Sequence, residues 1–153
     1  MAYDTGQARQ ELLDSVAVAA DHLGTALAAL GAAYEQLDEA TADRLEEQLF
    51  RPVQHAYGRA MRTYTGFAER YDLRTRPITQ AVAPTLVSRG VKGLLENAVD
   101  AVGMADAELV ALQDSMRPVE VGDAELRAGL AEVRDLAGGL RGKARDFVRI
   151  LGR

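Results

Sequence analysis

Ser88-Arg89-Gly90-Val91-Lys92-Gly93 brings a hydroxyl, two bases and two glycines together where the surrounding pattern starts a helix. Free backbone N–H groups and the positive end of the helix dipole meet at such a point. The segment is therefore a candidate anion site, with Ser88, Arg89 and Lys92 as side-chain donors. A helix start carrying solvated bases has the same spacing, and that reading stays open beside it. A second basic set is spread more widely. Arg59, Arg62 and Arg70 sit mid-chain, and Arg141, Arg145 and Arg149 recur at i, i+4 and i+8 near the C-terminus, with Arg74, Arg76 and Lys143 alongside.

Other chemistry is harder to assemble. Dinuclear carboxylate sites in helix bundles need Glu-x-x-His pairs, and neither His22 nor His55 supplies one. Glu96 with Asp100, and Glu132 with Asp135, are close enough on a helix to share a cation, a spacing common to any charged helix face. With no cysteine there is neither a disulfide framework nor a thiolate ligand. Ser15, Ser88 and Ser115 lie in no strand-turn-helix elbow, and no phosphate-cradling or dinucleotide fingerprint appears. The expectation is no catalytic set, no metal and no cofactor.

The elements that position these groups are helical. In the first segment Leu13, Val16, Ala20, Leu23, Leu27, Leu30, Tyr34 and Leu37 alternate steps of three and four, as one face of a helix does. Asp4 and Gln7 resemble a capping box at its start, and Thr41 is placed to cap the next helix. Phe50, Val53, Tyr57, Ala60, Tyr64, Phe67 and Tyr71 continue the rhythm, so these aromatics belong to a core seam. Pro52 should kink that second helix or delay its start to about residue 51. An antiparallel hairpin turning near residue 40 sets Tyr64, Tyr57 and Phe50 level with Ala17, Gly24 and Gly31, large against small.

The rhythm lapses between residues 72 and 88, where Pro77 and Pro84 interrupt it, and this connection is expected to be the first part to open. It returns from Val91 to Met116 and from Leu126 to Leu151, with Asp123 as a cap and Gly138, Gly139 and Gly142 weakening the last helix. Two short-looped hairpins imply an all-α, antiparallel up-down-up-down four-helix bundle. A single domain over residues 1–153 is expected, with a long irregular connection between helices 2 and 3. Coiled-coil dimerisation of the hairpins is the rival arrangement.

Charge is segregated along the chain although the net value is -5. Residues 1–50 carry two bases and ten acids, 51–93 eight and two, 94–138 three and ten, and 139–153 five and one. In an up-and-down bundle this alternation produces a basic pole and an acidic pole. The leading reading is a non-enzymatic interaction or assembly protein that binds a protein partner or itself. The alternatives are a binder of nucleic acid, another anionic polymer or an anionic membrane through the basic pole, and a small-ligand carrier or enzyme with a core pocket. No basic n-region precedes an apolar stretch and no run approaches 18 uncharged apolar residues, which implies a soluble, cytoplasmic protein. The alanine- and arginine-rich composition points to a GC-rich bacterial genome.

Overall fold

Every described element is an α-helix or a helical turn, in a computed structural model that describes residues 5–80, 87–121 and 123–151. Helix α1 covers Thr5–Glu35, α2 Glu39–Leu45, α3 Arg51–Tyr71, α4 Gly90–Asp114, α5 Arg117–Val121, α6 Ala124–Ala137 and α7 Leu140–Leu151. The proposed partner of Gln7, Asp4, lies outside the described residues.

Hydrogen bonding fixes how the next two helices start. Asp38, rather than Thr41, caps α2: its carboxylate accepts from the Thr41 N–H at 2.9 Å and from the Thr41 hydroxyl at 3.0 Å. Pro52 falls in the first turn of α3, which starts at Arg51 as its sequence position implies. A π-helical turn over Glu46–Phe50 joins α2 to α3, and the Arg51 N–H donates to the Glu46 carbonyl five residues back. The wider turn accommodates a proline that cannot donate to a carbonyl four residues earlier.

The expected up-down-up-down order gives way to up-down-down-up. At the end of α3, Asp72 takes the left-handed conformation (φ 51°) and the Leu73 N–H closes back on Ala68 O at 2.9 Å. From there the chain does not turn back as a helix. The Arg74 N–H donates to Gln10 Oε1 and the Arg74 carbonyl accepts from Gln10 Nε2, both at 3.0 Å. Higher up α1, Asp21 accepts from the Thr79 N–H at 2.8 Å and from the Arg76 guanidinium at 2.7 Å. Just past its end, Gln36 Nε2 donates to the Val87 carbonyl at 3.0 Å. Residues 74–79 thus climb alongside α1, Val87 lies beside its end, and α4 begins there and runs down again. Arg117, just past α4, pairs with Glu11 at 3.1 Å. Backbone groups of the strap find partners on polar α1 side chains, so residues 72–80 are tied rather than loose.

The strap passes directly against α1 at Gly24. A Cβ there would stand 2.1 Å from the Thr79 carbonyl oxygen, so the small residue makes room for backbone and not for Tyr57. The hairpin register itself agrees with the sequence. Arg9 stacks over the Tyr71 ring at 3.9 Å, and Gly31 and Phe50 line one hollow. Tyr64 is buried, and its hydroxyl accepts from the Arg76 N–H at 2.8 Å, which pins the strap from the α3 side. Tyr34, placed on the core stripe by periodicity, is 40% exposed at the last turn of α1.

The fourth helix is two helices. Asp123 caps α6 as expected, accepting from the Leu126 N–H at 2.7 Å, and the helix stops at Gly138. Gly139 at φ +83° starts the chain on a new course into α7, a conformation that disfavours side chains with a Cβ. One hydrophobic cluster runs through the molecule, including Leu23 and Leu30 of α1, Phe67 of α3, Leu94 and Leu95 of α4, Leu130 of α6 and Phe147 of α7. Lying between α3, α4 and the strap, α1 buries far more than one narrow stripe. By length and composition it is apolar enough to cross a membrane, and 61% of its most apolar 18-residue window is buried within the protein, as in a core helix.

Candidate functional site

The crossover separates the basic residues that an up-and-down bundle would gather. Ser88, Arg89 and Lys92 are exposed at the start of α4, at the same end as α7 with Arg141, Arg145 and Arg149. Arg59, Arg62 and Arg70 lie on α3, which descends from that end, so Arg70 stands at the opposite one. No single basic pole forms from these eight bases. The acidic α2 and π-helical turn also share an end with basic α7, so the opposite charges are side by side there.

Three of the six α3 and strap arginines are already engaged in ion pairs. Arg59 pairs with Glu132 of α6 at 2.5 Å, and Arg76 with Asp21. Arg70 binds Asp123 through two hydrogen bonds and Glu125 through a third at 2.7 Å. Hydrogen bonding to these carboxylates holds the Arg70 and Arg76 guanidinium groups above their usual range. Glu132, considered as half of a cation pair with Asp135, is instead the partner of Arg59. Among the described residues no group of three or more histidine or acidic side chains is placed to hold a metal ion. His55 is exposed on α3, and His22 is half-buried on α1. At the start of α4, Arg89 takes a helical conformation without a side-chain capping bond, and its stem lies against Gly93.

The α7 stripe is different. None of the seven ion pairs among the described residues includes Arg141 or Arg145, and Arg149 makes only a 3.7 Å contact to Asp146 on its own helix. These three arginines form one rim of a groove between α4 and α7. Its hollow is about 330 Å³. Glu96 and Asp100 of α4 form the opposite rim, and both are exposed. Leu95, Val99, Ala144 and Val148 line the floor, the valines only half-buried.

The helical repeat explains this placement. On α4, Glu96 and Asp100 are four apart, and on α7 Arg141, Arg145 and Arg149 are four apart, so each set forms a row along its helix. The helices are antiparallel, since Val102 and Asp106 are level with Leu140 and Arg134 while Leu95 is level with the Arg145–Arg149 region. Sequence reasoning found both rows but assigned them separately, one to a cation and one to a pole. Their juxtaposition needs the break at Gly138–Gly139, whose glycines were the available signal. No family model matches the chain, and no similar curated protein or solved structure is found.

Proposed function

We propose that this chain is a non-enzymatic interaction module that receives a protein surface in the α4–α7 groove. The observation that carries the reading is the groove's composition: an apolar floor between a basic rim and an acidic rim, with neither rim used in ion pairs to other helices among the described residues. A helical surface with apolar side chains between two rows of opposite charge would match it in shape and sign. An anionic polymer or membrane fits less well. Glu96 and Asp100 would stand in its path, and Arg59, Arg70 and Arg76 are neutralised within the molecule.

The test is photo-cross-linking from the groove floor in host cells, with a photoreactive amino acid at Val148. Protein adducts should form, and should disappear in the R141E/R145E/R149E variant. Adducts to nucleic acid or lipid in place of protein would overturn the reading, as would protein adducts that survive the triple reversal unchanged.

A further inference from the structure

We infer that the occupant of the α4–α7 groove is a second copy of this chain, related to the first by a two-fold axis running along the groove. This deepens the function proposed above and rests on it. An isologous interface needs a surface complementary to itself, so that residue i meets j while j meets i. The groove has that property in one orientation only. A two-fold axis parallel to the two helices carries the acidic rim of one copy onto the basic rim of the other. An axis across the groove would set like rims together, with Glu96 and Asp100 against themselves.

Register supports the same axis. Because rotation about the groove preserves height, each residue meets its partner's residue at its own level. Glu96 then faces Arg145 and Arg149 of the other copy, and Asp100 faces Arg141 and Arg145, with the set repeated by symmetry. Val99 and Val148 lose their remaining exposure between the rims. Within one copy these opposite charges flank the groove without pairing across it. A second copy supplies partners for both rows at once, which no singly charged surface does.

The area is that of a transient contact. Two helices side by side are about 20 Å wide, and the twelve residues of α7 span about 18 Å. The patch is thus roughly 360 Å² per copy, below the roughly 800 Å² per partner of stable complexes. The dimer should be weak, with a dissociation constant of about 10–1000 µM, and should loosen as salt rises.

Sedimentation velocity of the purified full chain at low salt tests this. The sedimentation coefficient should climb from the monomer value towards the dimer value over that concentration range, and the climb should move to higher concentration in 0.5–1 M salt, where the Debye length is only about 3–4 Å. R141E/R145E/R149E makes both rims acidic, and E96R/D100R makes both basic. Each alone should stay monomeric, and an equimolar mixture should dimerise, which also answers any concern that one variant misfolds. A wild type that stays monomeric throughout, or variants that fail to complement on mixing, would overturn the second-copy assignment. If in that case Val148 still cross-links to a different protein in cells, the interaction reading stands. If it captures no protein, both fall.

Discussion

Arg70 and Asp123 are joined by two parallel hydrogen bonds, Nε to Oδ2 at 3.0 Å and Nη2 to Oδ1 at 2.7 Å, across the gap between the end of α3 and the start of α6. Asp123 is 5% exposed and at the same time caps α6 through the Leu126 N–H. One carboxylate therefore fixes the start of one helix and its attachment to another. Planar bidentate pairing of this kind is the strong form of a charge-assisted bond.

Replacing Asp123 by alanine removes a cap and leaves Arg70 without its main partner. The expected loss is about 2–3 kcal/mol in urea denaturation. Glu125, which also contacts Arg70 but is 78% exposed, should cost under about 0.5 kcal/mol when changed to alanine. Equal losses for the two variants would mean that burial and capping are not what makes Asp123 important.

Acid should act through the same group. Burial alone would raise the Asp123 carboxyl, but the Arg70 guanidinium, the Leu126 N–H and the Tyr71 hydroxyl together hold it below the usual carboxylate range. For Asp21 burial is likewise outweighed, by Arg76 and the Thr79 N–H. A carboxylate depressed in the folded state contributes stability that is complete above its unfolded value of about 3.9 and is lost as pH falls through the folded value. Stability should therefore decline below about pH 4, and Asp123→Asn should make that decline shallower. An identical acid slope in the variant would remove Asp123 from the account.

The glycines of α1 separate the strap from ordinary helix packing. Gly24→Ala places a methyl group 2.1 Å from a backbone oxygen that cannot swing aside, so it should destabilise by roughly 1–3 kcal/mol. At Gly31 an added Cβ meets nothing within 4 Å, and Gly31→Ala should stabilise by up to about 1 kcal/mol through helix propensity. Denaturation midpoints moving the same way in both variants would contradict the path assigned to residues 74–80.

What was readable in the sequence follows from periodicity. Leu13 to Leu30, Val53 to Phe67 and Val102 to Leu112 repeat at helical spacing because each series faces one core, and their helices are where the spacing put them. The direction of the connection was not readable. It depends on Gln10, Asp21 and Gln36, polar residues that look solvated until strap backbone arrives beside them. Its length held the only clue: at about 3.3 Å per residue, the 17 residues from 72 to 88 can span a bundle about 45 Å tall. The groove was half readable, as two rows of charge without the tertiary step that sets them on either side of it.

The most direct test of the central claim uses the absence of native cysteine, which makes a single introduced thiol unambiguous. Val148→Cys places that thiol on the groove floor, beside the proposed two-fold axis. Met116→Cys places it at the other end of α4, where Met116 is 52% exposed. Treated with a short bis-maleimide at low salt, the Val148→Cys protein should give a cross-linked dimer, and the yield should drop when Arg141, Arg145 and Arg149 are also reversed to glutamate. The Met116→Cys protein should give little. Equal yields from the two positions, or no dimer from Val148→Cys at any concentration up to about 1 mM, would contradict a second copy seated in the groove.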